Sequence, residues 1–178
     1  MRVIAGEFRS RRLKSLAGQS TRPTPDRLRE TLFDILQTRI VGATFLDAYA
    51  GTGAVGIEAL SRGASHSIFL EKNRAAVEAI RNNLASLGIE RRATVVPGPV
   101  LLTIEQQQAS IAFLDPPYEA AREYSAAMEL LGENAPELVV VQHSVRFALN
   151  DEYGPLRRGR IVKQGDNALS FFSSVGIQ

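Results

Sequence analysis

Between Ala43 and Ser144 the chain alternates short apolar runs with longer stretches whose apolar positions recur at helical spacing. The runs are "TFLDAYA", "HSIFLEK", "ATVVPG", "SIAFLDPPY" and "ELVVVQHS". They are nearly continuous in apolar residues, as strands covered on both faces must be. Between them "AVGIEALSRG", "NRAAVEAIRNNLASLG", "VLLTIEQQQA" and "AREYSAAMELLG" read as helices, the second stopping at Gly88. This alternation predicts a doubly wound, Rossmann-like α/β sheet, mostly parallel, with ligands beyond the carboxyl ends of the strands. The final stretch "RRGRIVKQGDNALSFFSSV" has no helical period and carries a turn signal at Gly165-Asp166-Asn167. It predicts a closing antiparallel hairpin, with Phe171 and Phe172 as a core residue and its neighbour.

Before Ala43 the pattern differs. "MRVIAGEF" and "RRLKSL" read as two short strands hinged at Arg9-Ser10. "TRPTPDRLRETLFDILQTRI" reads as a helix, with Thr24 as its cap, Pro25 in its first position and Leu28, Leu32, Phe33, Ile35 and Leu36 as an apolar stripe. Residues 1–40 are therefore expected to be a small extension on one compact domain formed by residues 41–178.

A length of 178 residues suits one domain, and 44% apolar with 22% charged residues is a soluble balance. No apolar run reaches the roughly 18 residues of a membrane span, and "MRVIAGEF" has no apolar signal-peptide core, so a cytoplasmic protein is expected. Without cysteine, disulfides and thiolate metal sites are excluded; two histidines, His66 and His143, are assigned to packing or hydrogen bonding, and no metal is expected. Net charge is only +2, yet residues 1–29 hold eight basic side chains (Arg2, Arg9, Arg11, Arg12, Lys14, Arg22, Arg27, Arg29) against Glu7 and Asp26. A basic arm on a mildly acidic body points to a polyanionic partner; a solvated basic hairpin is the plainer alternative.

Two stretches carry chemistry. In "LDAYAGTGAVGIEAL", Gly51 and Gly53 fall between a strand and its helix, where a bare backbone lets a ligand approach the helix N-terminus. Glu71, twenty positions after Gly51, ends the next strand, where nucleoside-binding folds place a carboxylate for ribose hydroxyls. Gly51-x-Gly53-x-x-Gly56 matches a dinucleotide fingerprint, but Asp47 at the strand end would repel a pyrophosphate and favour a ligand with an ammonium or sulfonium, such as S-adenosylmethionine.

The second stretch, "IAFLDPPYEA", ends a buried strand on Asp115 and then stiffens it with Pro116 and Pro117 before Tyr118. "DPPY" resembles the motif of S-adenosylmethionine-dependent methyltransferases that act on exocyclic amines of nucleobases. Such an amine is a poor nucleophile, and full deprotonation by an ordinary aspartate, some ten pK units adrift, would cost about 14 kcal/mol. Hydrogen bonding is the workable route: Asp115 and the Pro116 carbonyl each accept an N–H and aim the nitrogen lone pair at the methyl. Tyr118 offers a stacking face worth roughly 1–3 kcal/mol. A plain turn explains the prolines alone, and a metal site wants more ligands than Glu119.

"MRVIAGEFRSRRLKS", "TRPTPDRLRETLFDIL", "LDAYAGTGAVGIEALSRGA", "FLEKN" and "FLDPPY" together resemble the RsmD family, from Met1 to about Tyr118. These class I methyltransferases modify the N2 amine of one guanine in 16S ribosomal RNA of the small subunit. The resemblance implies that Asp47, Gly51, Thr52, Gly53 and Glu71 hold S-adenosylmethionine. Asp115, Pro116 and Tyr118 would hold the guanine. Arg9, Arg11, Arg12 and the segment Arg22, Pro23, Thr24, with Pro117, would meet RNA at the site's mouth. A monomer is the default expectation, and a single small domain with few recognition elements suggests that the substrate RNA is presented in a partly or fully assembled subunit. One departure stands out: such enzymes usually carry an acid after the third strand for the cofactor's adenine amine, and here the run is Val96-Pro97-Gly98-Pro99-Val100. The alternatives are a DNA adenine-N6 or cytosine-N4 methyltransferase, for whose target-recognition region this length leaves little room, and a non-catalytic RNA-binding module of the same fold.

Overall fold

A computed structural model describes residues 1–16, 24–117 and 119–174. Eight strands among them form one sheet, β1 (Thr44–Ala48), β2 (His66–Glu71), β3 (Ala93–Pro97), β4 (Ile111–Leu114), β5 (Leu138–Ser144), β6 (Glu152–Tyr153), β7 (Leu156–Gln164) and β8 (Asn167–Ser174). Their order is β3-β2-β1-β4-β5-β8-β7-β6. The first five pair in parallel, and β8, β7 and β6 close the sheet antiparallel. This is the expected doubly wound α/β sheet with its hairpin; the two-residue β6 is too short to leave a pattern in the sequence.

Helices cover both faces. α1 (Asp26–Leu36), α2 (Ala54–Ser61) and α3 (Arg74–Leu87) lie over one, where Leu32, Phe33, Ile57, Ile80 and Leu84 cluster with Phe45, Phe113 and Phe171. α4 (Val100–Thr103) and α5 (Ala121–Glu133) lie over the other, where Val100, Tyr124 and Met128 cluster with Leu46, Leu114 and Phe172. Phe171 and Phe172 are thus both core residues, on opposite faces, because β8 is flanked by β5 and β7 and covered on each side. Gly88 ends α3 in the left-handed conformation, as expected. Among the described residues no helix is long and apolar enough to cross a membrane.

The N-terminal hairpin is looser than the two strands expected. A single bridge joins Arg2 to Arg12, and the chain turns through Ser10 at φ 67°. What holds it is its packing: Val3, Phe8 and Leu13 enter the same cluster as α1 and α2. Glu58 on α2, fully buried, accepts the N–H groups of Ile4 (2.8 Å) and Ala5 (3.0 Å) and pairs with Arg62 (2.8 Å).

Candidate active site

The strand order reverses at β1, so a crevice is expected where the chain leaves β1 and β4 in opposite directions. The glycine loop lies there. Gly51 and Gly53 have φ 57° and 84°, and Gly53 caps α2. A Cβ on Gly56 would lie 2.3 Å from the Phe69 ring, so this glycine is what lets α2 press onto β2. Asp47 sits beneath the loop, 2% exposed, its Oδ2 accepting the Gly56 N–H at 2.8 Å. Burial first, then the nearness of Asp115 and Glu71, pushes its carboxyl well above the ordinary range. Glu71, half-buried at the end of β2, accepts the N–H of Gly51 (2.8 Å) and of Asn73 (2.7 Å). A carboxylate offers about four lone-pair positions, so Glu71 can still accept hydroxyl donors.

Asp115 follows β4, its N–H directed at the Ala48 carbonyl of β1 (3.4 Å). Burial pushes its carboxyl up to about 7, against the pull of Thr24, whose hydroxyl donates to Oδ2 at 3.3 Å. Thr24 was expected to cap α1; instead Pro25 takes the cap position without a side-chain bond, and the Thr24 hydroxyl faces the site. Pro116 is buried, and its carbonyl accepts the Tyr124 hydroxyl at 3.3 Å, with the Tyr124 ring packed 4.6 Å from Phe147. One lone pair of that carbonyl remains for a substrate donor. Pro117 is exposed; Tyr118 lies outside the described residues. Tyr49, at φ 64°, donates to Glu123 at 2.6 Å and so ties the strand end of β1 to the first turn of α5.

Asp47, Gly51, Thr52, Gly53, Glu71, Asp115 and Pro116 therefore converge at one end of the sheet. Arg9, Arg11 and Arg12 are exposed on the flank, and Arg11 donates to the Ser86 carbonyl at the end of α3 (2.9 Å). Arg22 and Pro23 lie outside the described residues. Arg29, counted above with the basic arm, is fully buried, bound to the Arg2 carbonyl (2.6 Å) and Asp26 (3.0 Å), and cannot meet a phosphate. Among the described residues no group of His, Cys, Asp and Glu is arranged to hold a metal. His66 bonds Thr94 and His143 bonds Ser170, each at 2.8 Å, in line with the hydrogen-bonding roles expected of them. Tyr49, Asn83, Glu123 and Tyr124 were not singled out from sequence, because neither a left-handed tyrosine nor a partner across the sheet leaves a local signal.

The family model described as conserved hypothetical protein 95 matches residues 1–173. YlbH of Bacillus subtilis, provisionally named an rRNA methyltransferase, is 32% identical over 185 residues, covering 99% of this chain and 100% of that protein. This chain belongs to the RsmD family of methyltransferases. Ribosomal RNA small subunit methyltransferase D of Escherichia coli is 41% identical over 120 residues, 66% of this chain and 60% of that protein. Among solved structures, the provisionally named methyltransferase yhhF of Escherichia coli superposes with a TM-score of 0.85 at 33% identity, covering 100% of this chain and 99% of that one. An RNA methyltransferase of Salinibacter ruber in complex with S-adenosyl-L-homocysteine shares the fold, with a TM-score of 0.67 at 16% identity over 88% of this chain and 96% of that one.

Proposed function

We propose that this RsmD-family methyltransferase moves a methyl group from S-adenosylmethionine to the N2 amine of one guanine in 16S ribosomal RNA. The observation that carries this is the meeting of Asp115 and the Pro116 carbonyl with a glycine loop backed by Asp47 and Glu71. Three carboxylates at one crevice oppose a pyrophosphate and suit a cation, which favours a sulfonium donor over a dinucleotide. The names of the relatives supply the RNA; the chemistry of the acceptor pair supplies the amine.

In this reading S-adenosylmethionine supplies an electrophilic methyl, and the residues do the rest. Gly51, Thr52 and Gly53 leave the N-terminus of α2 open to the donor, with Asp47 fixing the loop from below. Glu71 accepts the ribose hydroxyls, and backbone and packing around Val96–Val100 take the adenine, since no acid stands there. Ionised Asp115 and the Pro116 carbonyl accept the two N–H bonds of the guanine amine, and Tyr118 stacks on the base. A charge-assisted acceptor bond is worth roughly 1.5–3 kcal/mol, and in-line positioning adds to it. As the C–N bond forms and the S–C bond breaks, the nitrogen becomes cationic and its proton passes to Asp115.

Residues 1–40 form the RNA-contacting extension in this scheme, through Arg9, Arg11, Arg12 and Arg22 to Thr24, with Pro117 at the mouth. The protein acts as a cytoplasmic monomer on RNA held in a partly or fully assembled small subunit. Labelled methyl transfer to naked 16S RNA, small subunits and duplex DNA, followed by mass mapping of the modified nucleotide, tests the proposal. N2-methylguanine in RNA is expected; label confined to DNA adenine or cytosine would overturn it.

A further inference from the structure

Asn83 lies on the buried face of α3 between Ile80 and Leu84, 1% exposed, where an apolar residue would serve the helix better. Three of its four hydrogen-bonding positions are used. Its Oδ1 accepts the Lys14 N–H at 2.7 Å, and its Nδ2 donates to the Lys14 carbonyl at 3.2 Å and to the Thr52 carbonyl at 3.0 Å. The Lys14 N–H must meet an oxygen and the two carbonyls must meet N–H groups, so the amide can be oriented only one way. Asn83 therefore pairs with the arm's main chain as a neighbouring strand would, and with its remaining hydrogen holds the glycine loop. One turn on, Arg11 grips the Ser86 carbonyl, and the Ser86 hydroxyl returns to the Asn83 carbonyl at 2.8 Å. The last two turns of α3 thus carry the basic arm on one side and Thr52 on the other.

We propose that Asn83 is a positioning residue that couples RNA binding on the basic arm to cofactor binding in the glycine loop, an inference that rests on the function proposed above. Phosphates drawing on Arg9, Arg12 and Lys14 fix the main chain at Lys14, and Asn83 passes that fixed position to the Thr52 carbonyl beside the donor. By linkage the effect is reciprocal: the cofactor tightens RNA binding by the factor with which RNA tightens the cofactor. Neutral hydrogen bonds of this kind support a factor of roughly two to ten.

The test measures the affinity for small ribosomal subunits, by filter binding, with and without saturating S-adenosylhomocysteine. Wild type is expected to gain roughly two- to tenfold from the cofactor product. Asn83→Ala is expected to show a ratio close to one, and so is Lys14→Pro, which removes the same N–H from the arm side without touching α3. A purely structural role would weaken both ligands and leave the ratio intact. A ratio equal in wild type and both variants, or a ratio of one in wild type, overturns the coupling alone. Failure of wild type to bind S-adenosylhomocysteine, or small subunits, overturns the proposed function itself.

Discussion

Replacing Asp115 by asparagine should stabilise the protein at alkaline pH while slowing methyl transfer, because the acceptor oxygen stays but its charge is lost. Burial holds the Asp115 carboxyl at about 7 in the folded chain, against 3.8 for the free group. Between those values the folded protein keeps a proton that the unfolded chain has released, so stability falls as pH rises through this window. Three pK units at 1.36 kcal/mol each set a ceiling of about 4 kcal/mol, and partial solvent access lowers the working figure to roughly 2–4 kcal/mol. Asparagine has the same shape, still accepts the Thr24 hydroxyl, and removes a charge that also disfavours ionised Asp47. Thermal unfolding at pH 8 should therefore rise by roughly 5–15 °C in Asp115→Asn relative to wild type. The gain should shrink as pH falls and approach zero only below about pH 3, where the wild-type carboxyl is protonated in both states. A gain independent of pH, or none at pH 8, would refute the claim that a buried carboxyl is held out of its comfortable range for the sake of chemistry.

Other outcomes follow from single contacts. Thr24→Val removes a bond that favours ionised Asp115, so the acidic limb of the pH–rate profile should move upward by roughly half to one unit, with Thr24→Ser restoring it; an unmoved limb would show the contact to be idle. Changing Arg9, Arg11 and Arg12 together to alanine should make the log–log salt dependence of RNA binding shallower by about 2–3 units, and an unchanged slope would return them to a solvated edge.

Where the local pattern and the tertiary contacts agree, the sequence was readable. The five parallel strands are continuous apolar runs because both faces are covered, and Gly51, Gly53, Glu71 and Asp115 fall at strand ends that only this topology brings together. Errors arose where packing overrode a local preference. Arg29 was read as part of a basic arm, yet it stands three, four and seven positions before Leu32, Phe33 and Leu36, on the core face of α1. Its charge alone suggested solvent, and the Arg2 carbonyl and Asp26 that receive it come from elsewhere in the fold or the turn before. Thr24 had the right chemistry for a helix cap, and only its distance to Asp115 reveals another role. Phe171 and Phe172 were expected as one core residue and its neighbour; both are buried, Phe172 beside Tyr153 and in one cluster with residues of α5. Asn83 was invisible because its partners lie 69 and 31 positions away.

The most direct measurement is single-turnover methyl transfer to small ribosomal subunits by Asp115→Ala, with S-adenosylhomocysteine affinity determined on the same preparation. If Asp115 grips the guanine amine, transfer should fall by about a hundredfold or more while cofactor affinity stays within roughly threefold of wild type. Transfer at the wild-type rate would contradict that role, whatever the cofactor affinity proved to be.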